Sequence, residues 1–118
     1  VVLPEYRGYA ALPGAPTYPG SAHDARAALL AALAHTSASD VALYGHSLGT
    51  AVATELAAAM AADGRPPTAL ALESPFTSAR AMARIVVHEQ VERWWQRISR
   101  VHFDTEARVA TLDVPVSV

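Results

Sequence analysis

The stretch that decides the fold is Tyr44-Gly45-His46-Ser47-Leu48-Gly49-Thr50. The preceding residues, Asp40 to Tyr44, predict a short buried strand, and the sequence from Thr50 to Ala62 favours a helix. A strand followed by Gly-X-Ser-X-Gly and a helix is typical of a nucleophile elbow, in which the serine sits on a strained turn. We therefore predict that Ser47 is a catalytic nucleophile. Gly45 and Gly49 are expected to let strand and helix approach closely.

Composition and length describe one small globular domain. The 118 residues are 52% hydrophobic and 17% charged, enough for one core but not for two. Nine basic residues, all arginine, against eleven acidic ones give a net charge of −2. That balance gives no electrostatic reason to expect nucleic acid or an anionic membrane surface as a partner. The absence of cysteine excludes disulfides, thiolate metal sites and a cysteine nucleophile, and it fits a cytoplasmic location.

The N-terminus does not resemble a signal peptide, because it has no positive region and begins with a strand-like run. No apolar run approaches the roughly 18–20 residues that span a bilayer, so no membrane segment is predicted. The chain starts without methionine in a strand-like run, Val1 to Leu3, and stops within another, Val114 to Val118. We read this pattern as a piece of a longer protein.

Strands and helices alternate over the predicted core, residues 1–75. Val1 to Leu3 is expected to be a buried strand, and residues 10–20, with three prolines and two glycines, a loop. A helix is predicted from an N-cap at Ser21 to about His35. Its packing face would carry four apolar residues: Ala25, Leu29, Leu30 and Leu33.

The second half of the core repeats this alternation. The helix after Ser47 is expected to end near Asp63 with Gly64 as its C-cap, and residues 69–72 predict the next buried strand. Continuous apolar strands separated by helices are typical of a parallel sheet covered by helices on both faces. The predicted fold class is α/β.

Residues 76–112 interrupt the alternation with helical sequence. One helix is predicted over residues 78–100 and a second from Asp104 to Leu112, before a strand that starts over residues 114–118. Such an insertion can roof a cleft. Trp94 and Trp95 within it either pack the insertion onto the sheet or line a hydrophobic pocket.

Four motifs in order resemble the α/β-hydrolase superfamily, specifically the Bem-type branch related to serine aminopeptidase-like hydrolases. They cover nearly the whole chain and are Glu5-Tyr6-Arg7-Gly8-Tyr9, Leu43 to Gly49, Glu73-Ser74-Pro75-Phe76-Thr77-Ser78, and Phe103-Asp104-Thr105 with Leu112 to Val116. Glu5 stands where that branch usually has aspartate, and Ala10 where glycine is common.

The resemblance implies an incomplete α/β-hydrolase fold that runs from the family's fourth strand to its seventh. The catalytic acid and histidine are then expected beyond Val118. One oxyanion-hole donor is expected before Val1, and the backbone N–H of Leu48 would be the other. This chain would hold the nucleophile without its partners.

Other candidate residues have structural alternatives. His46 neighbours Ser47, but adjacent residues on a tight turn point in different directions, so packing beside the site is favoured over a base role. Glu73 is either a catalytic acid or a structural hydrogen-bonding residue. Tyr6 and Arg7 are expected to hold loops by hydrogen bonds in preference to contacting substrate.

The remaining histidines do not form a predicted site. His88 and His102 fall in the insertion, and His23 and His35 are interpreted as surface or cap residues. No histidine pair has the i, i+4 spacing with a carboxylate that indicates zinc, and neither a metal nor an organic cofactor is implied.

The predicted function is that of a serine hydrolase. Ser47 would attack a small-molecule ester, thioester or amide and form an acyl-serine that water releases. Two alternatives remain open: an acyltransferase, and a non-catalytic member that keeps the fold as a binding or scaffold module. The 118 residues alone are expected to be poorly soluble and inactive. The resemblance implies that the family's third strand, which lies between strands four and five of the sheet, comes before Val1, and a sheet without this central strand leaves backbone groups unpaired.

Overall fold

The computed structural model describes residues 1–75 and 105–118. The helix predicted over residues 78–100, with His88, Trp94 and Trp95, lies outside these residues, and so does His102. The described elements are α1 (Tyr18–Leu33), a short 3-10 helix (Ala38–Asp40), β1 (Ala42–His46), α2 (Leu48–Ala62), β2 (Ala69–Glu73), α3 (Thr105–Val109) and β3 (Val116–Ser117).

The three described strands form one parallel sheet in the order β1-β2-β3. In its register His46 pairs with Glu73, and Leu70 pairs with Val116. Strand–helix–strand order with parallel pairing confirms the predicted α/β class. The carboxyl ends of β1 and β2 therefore lie side by side at one edge of the sheet.

The core lies between this sheet and α2. Leu70 and Leu72 of β2 are buried against Ala53 and Ala57 of α2. Apolar side chains of α3 and its exit, including Val109 and Leu112, pack on the same cluster. The C-cap of α2 is Asp63, one residue before the predicted Gly64, and Gly64 follows it with φ +71.

Helix α1 packs on α2, but its packing face does not include every residue that was predicted. Ala25 is buried against Ala51 and Val52, with Tyr6 beside them. Leu30, predicted for the packing face, is 69% exposed. At 3.6 residues per turn, a position five residues beyond Ala25 lies about 140° around the helix, which turns Leu30 away from α2.

Two predicted boundaries are wrong. Helix α1 begins at Tyr18, and its N-cap is Thr17, whose Oγ1 accepts the Gly20 N–H at 3.1 Å, in place of Ser21. Pro19 is tolerated there because the first helical turn has N–H groups without intrahelical partners. Strand β1 runs two residues later than predicted, because residues 38–40 form the 3-10 helix.

The predicted strand at Val1–Leu3 is also wrong. These three residues are exposed and belong to no strand. Strand geometry in a sheet depends on hydrogen bonds to a neighbour, and the described residues offer Val1–Leu3 no partner strand. An apolar sequence alone therefore does not make this segment a strand.

Candidate active site

Ser47 is the single residue between β1 and α2. Its backbone has φ +50 and ψ −118, a region that residues other than glycine rarely adopt. Such a conformation costs on the order of 1–3 kcal/mol and persists only where surrounding contacts hold it. The strained strand–turn–helix geometry that the sequence predicts is therefore present.

Hydrogen bonds hold Ser47 on both sides of its Cα. The Ser47 N–H donates to the Glu73 carbonyl oxygen on the neighbouring strand at 3.0 Å. The Ser47 carbonyl accepts from the Thr50 N–H at 3.0 Å and from the Thr50 hydroxyl at 2.6 Å. Thr50 is fully buried. The turn is thus fixed by β2 on one side and by the first turn of α2 on the other.

The two glycines of the motif have different roles. A Cβ placed on Gly45 would lie 2.4 Å from the Gly49 carbonyl oxygen and 2.7 Å from the Thr50 Cα. A Cβ on Gly49 would meet nothing within 4 Å. Close approach of strand and helix therefore requires glycine at 45 only, and the prediction that Gly49 also serves it is wrong.

The Ser47 side chain is accessible and is not used to cap the helix. Ser47 is exposed, and its hydroxyl makes no capping hydrogen bond to the first turn of α2. Leu48 is the first residue of α2, where a backbone N–H has no partner within the helix. The positive end of the helix dipole lies at the same point. The Ser47 hydroxyl and the Leu48 N–H thus belong to adjacent residues at the end of α2 that favours negative charge.

Tyr44 and Glu73 connect the carboxyl ends of β1 and β2. Tyr44 pairs with Ala71 and His46 with Glu73, so Tyr44 and Glu73 are diagonal neighbours on one face of the sheet. The Tyr44 hydroxyl donates a hydrogen bond to the Glu73 carboxylate. This bond, with some desolvation, raises the pKa of Tyr44 above its ordinary value. Sequence reasoning missed the contact, because it depends on the strand register.

A second strained serine follows β2. Ser74 has φ +52 and directly follows Glu73, as Ser47 directly follows His46. Two adjacent parallel strands therefore each end at a serine with positive φ. Ser74 precedes no helix in the described residues, whereas Ser47 begins α2.

The histidines of the described residues do not act on Ser47. His46 is exposed at the end of β1, and within residues 1–75 and 105–118 no hydrogen bond joins its ring to Ser47 or Glu73. His23 on α1 and His35 just after it are both exposed, as their surface interpretation predicts. The described part of the chain therefore does not place a general base on Ser47.

Arg7 holds the loop before α1 by hydrogen bonds, as predicted, whereas the Tyr6 side chain contributes by packing. The Arg7 guanidinium makes an ion pair with Asp24 at 2.7 Å, and the Arg7 N–H donates to the same carboxylate at 3.0 Å. Hydrogen bonds from Arg7 lower the pKa of the Asp24 carboxyl. Tyr6 packs on the α1–α2 cluster, and burial raises its pKa. The Tyr9 N–H donates to the Tyr6 carbonyl oxygen at 3.1 Å and closes a turn.

Residues 1–75 and 105–118 offer neither a cluster of metal-binding side chains nor a helix that could cross a membrane. Among those residues no group of three or more histidine, aspartate or glutamate side chains could hold a metal ion. None of the helices they form has the length and hydropathy to cross a bilayer.

Comparisons with known proteins match nearly the whole chain. The model of the Alpha/beta hydrolase family matches residues 1–116. An uncharacterized protein of Mycobacterium tuberculosis (strain H37Rv) is 39% identical over 123 aligned residues, which cover 100% of this chain and 40% of that protein. The lysophosphatidylserine lipase ABHD12 of Gallus gallus is 42% identical over 84 residues, covering 71% of this chain and 22% of the lipase.

A solved structure has the same fold. The crystal structure of an alpha-beta hydrolase from Vibrio vulnificus superposes with a TM-score of 0.79 at 24% identity, over 94% of this chain and 42% of that one. This chain thus spans less than half the length of each of these relatives.

Proposed function

The chain belongs to the alpha/beta hydrolase family, and on that premise we propose that Ser47 is the nucleophile of a serine hydrolase. The observation that carries the proposal is the conformation of Ser47: an exposed serine with φ +50 between a parallel strand and a helix. A serine in that position presents its hydroxyl above the edge of the sheet. Strain of this kind concentrates at functional sites.

The proposed reaction passes through an acyl-serine. The Ser47 Oγ attacks the carbonyl carbon of the substrate while a general base takes the hydroxyl proton. The Leu48 N–H donates to the oxyanion that forms. As the tetrahedral intermediate collapses, the bond to the alcohol, thiol or amine breaks, and that group leaves with the proton. Water then attacks the acyl-serine by the same steps and releases the carboxylic acid.

The general base and its acidic partner are assigned to residues outside the described ranges. Within those ranges the histidine rings make no hydrogen bond to Ser47, and the carboxylate of Glu73 is engaged by Tyr44. A free serine hydroxyl is a poor nucleophile at neutral pH, so the complete gene product has to supply this base.

Among the three carbonyl classes we propose an ester as substrate. The support is the name of a relative, the lysophosphatidylserine lipase of Gallus gallus. Its alignment with this chain covers 71% of the chain. The Bem-type, serine aminopeptidase-like branch remains a narrower proposal that the four sequence motifs support.

Fluorophosphonate labelling of the full-length gene product tests the nucleophile. We predict that Ser47→Ala abolishes labelling, because the reagent reacts only with an activated serine oxygen. Hydrolysis of short-chain p-nitrophenyl esters should fall by about 10³-fold or more in the same variant, since loss of a nucleophile leaves only binding and oxyanion stabilisation. A lysophospholipid, an acyl thioester and an anilide are compared as substrates.

Ser74→Ala is the matched control. It makes the same chemical change at a serine with nearly the same positive φ, at the end of the neighbouring strand. Labelling of this variant should persist. Labelling that survives in Ser47→Ala, or that disappears in Ser74→Ala alone, would remove Ser47 from the mechanism.

A further inference from the structure

Glu73 makes two contacts with the strand that carries Ser47, from two different parts of the residue. Its main-chain oxygen accepts the Ser47 N–H at 3.0 Å. Its carboxylate accepts the hydroxyl of Tyr44, three residues before Ser47 on β1. The single residue therefore contacts both the strained turn and the strand that leads into it.

The geometry points to Glu73 as a positioning residue for the nucleophile: bonded to Tyr44, it fixes the end of β2 so that its carbonyl holds the Ser47 N–H. This inference rests on the proposed role of Ser47. It concerns how the serine is held, and not which residue removes its proton.

The position of Glu73 explains why such a hold is needed. Glu73 is the last residue of β2, and the next residue, Ser74, has φ +52, so the strand direction changes immediately after the carbonyl in question. A carbonyl beside such a turn is aligned only if the residue before the turn is itself fixed. Tyr44 lies inside β1 and supplies that second point of attachment.

The contacts favour this role over that of a catalytic acid. An acid of a Ser–His–acid triad accepts its hydrogen bond from the histidine ring. In the described residues the partner of the Glu73 carboxylate is a tyrosine hydroxyl, and no hydrogen bond joins Glu73 to His46, which pairs with it in the register. The hydrogen bond from the Tyr44 hydroxyl to the Glu73 carboxylate is of the charge-assisted kind, which is stronger than a neutral hydrogen bond, so it is suited to hold the end of β2.

Four variants of the full-length gene product test the inference: Glu73→Leu, Glu73→Gln, Tyr44→Phe and the double variant Tyr44→Phe/Glu73→Leu. The measurement is the rate of fluorophosphonate labelling at Ser47, resolved into its value at saturating reagent and the reagent concentration at half saturation. Melting temperatures establish that each variant is folded under the labelling conditions.

Glu73→Leu and Tyr44→Phe should each lower the saturating rate about three- to tenfold, the equivalent of one modest hydrogen bond, with little change in half saturation. Glu73→Gln keeps an oxygen that accepts from Tyr44, so it should stay within about twofold of wild type. The double variant should be no slower than the slower single variant, because both remove one interaction.

Different failures have different meanings. Wild-type rates in Glu73→Leu and Tyr44→Phe would overturn the positioning role while leaving Ser47 as nucleophile. Slow labelling in Glu73→Gln with a normal rate in Tyr44→Phe would make Glu73 a triad acid and also overturn it. If the wild-type protein is not labelled at Ser47, the proposed function fails and this inference fails with it. Should Glu73→Leu not fold, Tyr44→Phe and Glu73→Gln still decide the question.

Discussion

Gly45 lies at the most crowded backbone contact of the Ser47 turn. Strand β1 and helix α2 meet so closely there that a methyl group on Gly45 would overlap the main chain of Gly49 and Thr50. Main-chain atoms at the start of a helix cannot move aside as a flexible side chain can. The turn geometry therefore depends on the absence of a side chain at this position.

We predict opposite effects for two glycine-to-alanine substitutions. Gly45→Ala should lower the free energy of unfolding by about 3 kcal/mol or more, because the new methyl group displaces strand or helix. Gly49→Ala should leave it unchanged or raise it by up to about 1 kcal/mol, because alanine favours the helix and its Cβ meets nothing within 4 Å. Urea denaturation of both variants of the full-length gene product measures the difference. Equal losses in the two would contradict the assigned contacts.

The local motif could be predicted at this junction, and the cross-strand contacts could not. Gly-X-Ser-X-Gly between an apolar run and a helix-forming run indicates the turn, since the whole signal lies within a few residues. The bond between Tyr44 and Glu73 joins residues 29 positions apart, and it requires the register in which His46 meets Glu73. The sequence does not reveal this register, so the role of Glu73, catalytic acid or structural residue, stays open at that level.

Helix α1 and the loop before it are joined by one ion pair. Gly20 at the start of α1 has no side chain, and a Cβ there would lie 2.8 Å from the Arg7 Cδ. Arg7 therefore lies directly against the helix and reaches Asp24 one turn further along. The sequence predicts a loop-holding role for Arg7, but it places the helix start at Ser21 because proline and glycine, here Pro19 and Gly20, are typical of loops. Threonine followed two residues later by proline, Thr17 and Pro19, is the sequence pattern that indicates the true helix start.

We predict that Asp24 makes stability depend on pH in the acid range. Its pKa in the folded chain is lowered by hydrogen bonds from Arg7, so its stabilising contribution is present above the ordinary aspartate pKa of about 3.9. That contribution is lost as the pH falls through the lowered value. The difference in free energy of unfolding between wild type and Asp24→Asn, measured by urea denaturation of the full-length gene product, should therefore be largest near neutral pH and shrink at low pH.

Asp63→Asn is the control for that measurement. Asp63 is the C-cap of α2 and is exposed, and its backbone N–H makes the capping bonds to the helix carbonyls. Its stability gap to wild type should show no comparable loss at low pH. A gap for Asp24→Asn that stays constant from neutral to acid pH would show that the ion pair with Arg7 does not contribute to folding.

The described sheet has an open side at β1. In residues 1–75 and 105–118, β1 pairs with β2 alone, and Ala42, Tyr44 and His46 on one face of it are exposed. Val1 and Leu3, which the sequence predicts in a buried strand, are exposed as well. Their apolar character was readable from the sequence, but whether a strand forms depends on a neighbour that composition does not reveal.

We predict that the 118 residues expressed alone associate through this edge. An exposed strand edge presents unpaired N–H and C=O groups that pair with other chains. Analytical ultracentrifugation should therefore find oligomers or aggregates, with no cooperative melting of a monomer. Ala42→Lys places a charge on β1, where Ala42 is exposed, and should shift the population toward monomer. A wild-type chain that is monomeric and melts cooperatively would contradict this prediction, because the β1 edge would then not drive association.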